Sequence, residues 1–280
     1  EISGRKPGDT ILSLDDTQIT AESNIYELPS RLTGNEMHLL VKGEDGKERK
    51  VSIPVTTRAD MSKAVVREWT DNNRKYVHAQ SEGRLAYTVV ERMYEQYYQK
   101  WLEAAKRQLA HCDAMVIDFR YNSGGRIAHK ISEVLDDEPW LFKKMRGGRW
   151  VPCDLARRFS WQKPVAGVFN YSSTSNTEMM CAAFRIKKLG PSVGTPTTGG
   201  VIGTWSRKLV DGSTMRLPRF DVRDLTGRRL ELDPTEPEHI VDRTVIHDVK
   251  GTYPQLDKAI ELLLEQVDKT KPPYEPAKVN

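Results

Sequence analysis

Two apolar runs, Ala114-Met115-Val116-Ile117-Asp118 and Val165-Ala166-Gly167-Val168-Phe169, constrain this chain more than any other feature. Each is short and continuous, without the polar alternation of a strand that faces water on one side. Such runs read as buried strands. Leu85 to Val90 is a third strand. Helical patterns lie between and after them: Tyr94, Tyr98, Trp101, Leu102, Ala105 and Leu109 fall on one helix face, and Leu256, Ile260, Leu263, Leu264 and Val267 on another. Strands alternating with helices argue for an α/β core with a largely parallel sheet.

The 280 residues suit about two domains. Residues 1–57 read as a small β-rich unit, with strands at Thr10–Asp15, Met37–Val41 and Glu48–Pro54 and a short helix over Ala21–Leu32. Asp45-Gly46 is a hairpin signal, because glycine tolerates the positive φ of a tight turn. A polar helical connector is expected over 58–81, the α/β core over 82–268, and a loose, proline-containing tail over 269–280. Charged residues at 29% and hydrophobic residues at 38% place the chain among globular proteins. No apolar run approaches the roughly 18–20 residues of a membrane span. A net charge of +4 leaves no nucleic-acid footprint, and the basic run Lys143–Arg149 reads as a solvated loop. Three cysteines without a CxxC, and no histidine pair at ligand spacing, give neither a disulfide framework nor a structural metal site. Cys112 and Cys181 read as small core residues.

Two strand-to-turn junctions carry the chemistry. After Val116-Ile117-Asp118 comes Phe119-Arg120-Tyr121-Asn122-Ser123-Gly124-Gly125. Adjacent glycines let backbone N–H groups approach a ligand and form an oxyanion hole, or they simply turn the chain into the helix expected near Ile127. After Val168-Phe169 comes Asn170-Tyr171-Ser172-Ser173-Thr174-Ser175, followed by a helix from near Asn176 with apolar Met179, Ala182, Ala183 and Ile186. Ser175 and Glu178 have capping-box spacing, so Ser175 is a helix N-cap or a nucleophile placed beside free N–H groups.

Together the junctions resemble the tricorn branch of the serine peptidases that include the C-terminal-processing, or tail-specific, proteases. That family's Asp-x-Arg-x-Asn-x-Gly-Gly matches Asp118 to Gly125, and its Asn-x-x-x-x-Ser-x-x-(Asp/Glu) matches Asn170 to Glu178. Gly194 to Gly200 matches Gly-x-x-Thr-x-Gly-Gly, Leu209 to Ser213 a following hairpin, and Tyr253 to Ile260 a closing helix. Lys6 to Asp15 resembles the Pro-Gly-Asp-x-Ile-Leu segment of a PDZ domain, and the resemblance of residues 1–57 covers roughly the last two thirds of such a domain. The resemblance implies a ClpP/crotonase-like α/β core behind a partial PDZ-like domain. It implies a serine peptidase acting on peptides or unfolded polypeptide, with no cofactor or metal, and it is compatible with a homo-oligomer. The compartment stays open between cytoplasmic, periplasmic and secreted.

Within this resemblance Ser175 is the nucleophile, and the N–H groups of Gly124, Gly125 and Asn176 line the oxyanion hole. Gly227 to Glu238 resembles the segment carrying the relay glutamate, which falls at Glu231; a plain strand-edge charge is the other reading of that residue. Gly200 stands where tail-specific proteases have a lysine, so a Ser–Lys dyad is excluded. None of the six histidines matches a catalytic position, and the base is expected from a segment upstream of Glu1. Asn176 departs from the aspartate that follows the serine in the tricorn branch. The alternative is a non-catalytic peptide-binding or assembly subunit that keeps the peptidase fold.

Overall fold

The computed structural model describes residues 6, 8–15, 17–24, 36–136, 142–144, 150–152 and 159–269. The chain divides into two compact units, Glu1–Trp69 and Thr70–Asn280. Cys153, most of the helix expected over Ala21–Leu32 and the tail past residue 269 lie outside the described residues.

In the first unit, β1 (Thr10–Leu14), β2 (Thr17–Gln18), β3 (Glu36–Lys42) and β4 (Glu48–Pro54) form an antiparallel sheet in the order β2-β1-β3-β4. Period-two alternation sends Leu39 and Val41 of β3 and Val51 of β4 to one face, where they pack with Leu14. The β3–β4 register ends at Lys42↔Glu48. The turn between them contains Gly46 at φ +76°, as the Asp-Gly signal requires.

Helix α1 (Arg58–Gln80) follows, and the division between the units falls inside it. Its residues from Thr70 on belong to the second unit, where Thr70, Asn73 and Val77 are buried. There follow β5 (Leu85–Val89), α2 (Glu95–Leu109), β6 (Ala114–Asp118), α3 (Ala128–Leu135), β7 (Phe142–Lys144), β8 (Trp150–Pro152), β9 (Val165–Phe169), α4 (Asn176–Lys187) and β10 (Ser192–Gly194). Then come the hairpin β11 (Gly203–Lys208) and β12 (Thr214–Phe220), β13 (His239–Ile240), α5 (Val245–Lys250) and α6 (Pro254–Lys269). No helix among the described residues is long and apolar enough to cross a membrane.

The core sheet runs β13-β10-β9-β6-β5, and every pairing is parallel. The continuous apolar runs are explained by two covered faces. Met115 and Ile117 of β6 and Val165 and Phe169 of β9 face Trp101 of α2, Ile131 of α3 and Met180 and Phe184 of α4. Ala114 and Val116, with Ala166 and Val168, face Val77 of α1 and Leu256, Ala259, Ile260 and Leu263 of α6. Cys112 and Cys181 are buried, and burial pushes both thiols up, which keeps them neutral.

Two helix faces differ from the expected ones. Tyr94 is 42% exposed because it precedes α2 as its N-cap instead of lying on its buried face. In α4 the buried side chains are Asn176, Thr177, Glu178, Met180, Cys181, Ala182 and Phe184, while Ile186 is 40% exposed. The first turn of α4 is buried for polar reasons, which apolar periodicity does not register.

A buried ion pair closes β6. Arg120 Nη2 lies 2.6 Å from Asp118 Oδ2, with both side chains almost wholly excluded from water. Tyr87 Oη donates to the same oxygen at 2.8 Å, Asn73 Nδ2 donates to Tyr87 Oη, and Arg120 Nη1 donates to Gln255 Oε1 at 3.1 Å. Burial pushes the Tyr87 phenol well above its ordinary range, with the Asp118 charge adding to it. Burial works against the Arg120 charge, but Asp118 outweighs it and holds the guanidinium protonated. Arg120→Ala leaves Asp118 buried and unpaired, so urea denaturation should show a loss of about 3–5 kcal/mol. A double change, Asp118→Asn with Arg120→Met, should lose less than the sum of its two single changes.

Candidate active site

Parallel neighbours β6 and β9 end on the same rim of the sheet, which is where open α/β sheets collect their functional loops. The two loops that leave them are sewn together by backbone groups that have no sheet partner left. Tyr121 N–H donates to Asn170 Oδ1 at 3.0 Å, Ser173 Oγ donates to Phe119 O at 3.1 Å, and Thr174 N–H donates to Asn122 O at 3.0 Å. Asn122 Nδ2 donates to Val90 O at 2.6 Å, which brings in the segment after β5. Met93 in that segment forms an isolated parallel bridge with Gly125.

Ser175 caps α4 at φ +59° and ψ −121°. That is the first central position of a type II′ turn, normally occupied by glycine, so the serine is held in strained backbone. The restraint comes from Glu178. Its Oε1 accepts Ser175 N–H at 2.9 Å and Gly200 N–H at 2.8 Å, and its Oε2 accepts Thr197 Oγ1–H at 2.6 Å and Gly199 N–H at 2.5 Å. A fully buried carboxylate thus locks the serine turn to the 197–200 loop. The bond to Ser175 N–H is the return bond of a capping box, and Ser175 itself is half-buried.

Gly124 is the closest neighbour the loop could offer. A Cβ there would lie 2.7 Å from Ser175 Cβ, 2.6 Å from Thr174 O and 3.0 Å from Asn176 N, and its φ is +88°. The Gly124 N–H, however, donates to Asn122 Oδ1 at 2.9 Å. Gly125 N–H and Asn176 N–H have no acceptor among the described residues. Glu231 accepts Val201 N–H at 2.6 Å and Ile202 N–H at 2.7 Å, both on Oε2, and Leu232 N–H donates to Gly199 O. It is therefore tied to the residues directly after Gly200, which shares Glu178 Oε1 with Ser175. Among the described residues, no histidine hydrogen-bonds to Ser175; His247 Nδ1 is engaged with Thr244.

The structure brings Ser175, Gly124 and Asn176 into direct proximity and binds Glu231 to the adjoining loop. Sequence reasoning quoted Asn122 and Asn170 only as motif letters and read Glu178 as a capping-box partner. Their carboxamides and carboxylate hold the loops, and the signal was an Asn within a few residues of the end of each buried strand.

With that geometry in place, comparison with known proteins identifies the class. The sequence profile of peptidase family S41 matches residues 84–241, more than half of the chain, and the chain belongs to that family. It is similar to a tricorn protease homolog of Saccharolobus solfataricus, 31% identical over 263 residues, covering 93% of this chain and 24% of that protein. The tricorn protease of Thermoplasma acidophilum is 27% identical over 267 residues, again covering 93% of this chain and 24% of that protein. The crystal structure of the tricorn protease superposes with a TM-score of 0.72 at 25% identity, covering 94% of this chain and 25% of that one. Mature CPAF shares the fold at a TM-score of 0.55 and 13% identity, over 96% of this chain and 79% of that one. The chain thus spans about a quarter of the length of the tricorn relatives it matches.

Glu178→Gln places an amide NH₂ against donors already facing that site. Its melting temperature should fall by an amount equivalent to about 1–3 kcal/mol. Gly124→Ala should displace Ser175 and lose stability as well, because both the contact distances and the positive φ oppose a methyl group.

Proposed function

We propose that this chain carries the acyl-transfer centre of a serine peptidase that cleaves peptides or unfolded polypeptide. The observation that carries the proposal is Ser175: a serine held in a strained turn, next to the acceptor-free N–H of Asn176. Ser175 Oγ attacks the scissile carbonyl carbon as its proton passes to an imidazole. The developing oxyanion is held by Asn176 N–H and Gly125 N–H, since Gly124 N–H already serves Asn122. Gly124 contributes the close approach that places the second loop beside the serine. The imidazolium then protonates the leaving amine, and water releases the acyl group by the reverse sequence.

Glu231 fits the relay role. Two backbone donors fix its Oε2, and Oε1, which has no hydrogen-bond partner among the described residues, is free to accept an imidazole N–H. The imidazole itself comes, on this reading, from residues outside these 280. The same reading takes residues 1–57 as a partial PDZ-like module, 58–81 as a helical connector, 82–268 as the catalytic core and 269–280 as a tail. The four-stranded antiparallel sheet of the first unit supports the first of these.

A fluorophosphonate probe applied to the full-length protein should label Ser175, located by peptide mass, and Ser175→Ala should abolish labelling. Glu231→Gln should lower peptide hydrolysis by about 10²–10⁴-fold while far-ultraviolet circular dichroism stays unchanged. An unlabelled Ser175 in a folded full-length protein would favour the non-catalytic binding subunit.

A further inference from the structure

Helix α3 begins without a cap of its own. Its N-cap is Ile127, which has no side chain able to accept a hydrogen bond from the first turn. The missing acceptor is supplied from another helix. Asn176, the first residue of α4 and 8% exposed, accepts Ala128 N–H on Oδ1 at 2.8 Å. Its Nδ2 donates to Met179 Sδ at 3.2 Å, which fixes the amide orientation, because the flipped amide would set N–H against N–H.

This bond has a counterpart on the other side of the serine. Thr174 N–H donates to Asn122 O at 3.0 Å. The two ties flank Ser175 in one loop and the Gly124–Gly125 pair in the other. They bracket the two N–H groups assigned above to the oxyanion hole, which belong to different loops and have no direct bond to each other.

We propose that the Asn176 side chain is a positioning residue that sets the spacing between the Gly125 and Asn176 N–H donors by capping α3 from α4. The inference rests on the serine-peptidase reading of the site. Its chemistry asks for a side-chain acceptor at residue 176 and is indifferent to whether that acceptor is an amide or a carboxylate. Without the acceptor, the start of α3 loses its hydrogen bond to α4, and apolar packing then locates it and the Gly125 segment in front of it against that helix. A misplacement of about 1 Å in such a site lowers turnover by about 10²-fold.

The test uses the full-length protein and three forms: wild type, Asn176→Ala and Asn176→Asp. In Asn176→Ala, kcat for peptide hydrolysis should fall about 10–100-fold, with KM within about 3-fold of wild type. Asn176→Asp should recover most of the loss, because a carboxylate oxygen can take the Ala128 N–H. Hydrogen exchange at the Ala128 amide, slow in the wild type, should accelerate in Asn176→Ala and slow again in Asn176→Asp. Unchanged kcat in Asn176→Ala, or equal losses in both variants, overturns the proposal. Should the wild type take no fluorophosphonate at Ser175, the peptidase reading is what fails. The Ala128 exchange then decides the tether by itself: unchanged protection in Asn176→Ala overturns it, and lost protection supports it.

Discussion

The Asp118–Arg120 ion pair sits at the end of β6 and reaches the neighbouring strand and the helices on one face of the sheet. Through Tyr87 it holds β5, through Asn73 the buried half of α1, and through Gln255 the first turn of α6. Burying two charges is unfavourable unless both are paired and hydrogen-bonded, and here every arm of the pair has a partner. The consequence is directional. With β6 pinned at Asp118, the chain leaves the sheet along one path, and the Asn122 carboxamide can reach both Val90 O and Gly124 N–H.

Beyond that anchor, the rim of the sheet is held by polar side chains doing the work of a missing ladder. Backbone groups that leave a strand under cover must find partners, or they are left desolvated and unpaired. Asn122, Asn170 and Glu178 meet this need at three successive points, and Glu178 alone takes four donors. The strained conformation of Ser175 is stable only because these bonds over-determine it. A serine kept in that conformation is fixed at the start of α4, beside the Asn176 N–H.

Membership of peptidase family S41 gives this arrangement a chemical context, and the geometry in turn separates roles within the motifs. Asp118, Arg120, Asn122 and Asn170 of the quoted patterns build the rim. Ser175, Asn176 and Gly125 are left with groups that could meet a substrate. Gly124 occupies an intermediate position: its missing side chain lets the loops touch, while its N–H is already engaged. The hairpin β11–β12 starts directly after the residues that bind Glu231, so the same short stretch of chain joins the Ser175 turn, the glutamate and the hairpin.

The sequence by itself determined β1, β3, β4, β5, β6 and β9 and the helices α1 to α4 and α6, though not short elements such as β2, β10, β13 and α5. Continuous apolar runs can only be strands covered on both faces, and Ala114–Asp118 and Val165–Phe169 are just that. It also determined which serine, glycines and glutamate to examine, because their spacing repeats a known pattern. The tertiary structure alone decided which N–H groups remain free, since that depends on Asn122 and Glu178 finding donors far away in the chain. It alone showed that Glu178, besides returning to Ser175 N–H as a capping-box spacing suggests, also gathers donors from the 197–200 loop. It also buried the polar first turn of α4, where periodicity had placed an apolar face ending in Ile186. Local pattern records what a residue prefers, whereas a hydrogen bond between residues 128 and 176 exists only once two neighbouring strands have brought their loops to the same rim.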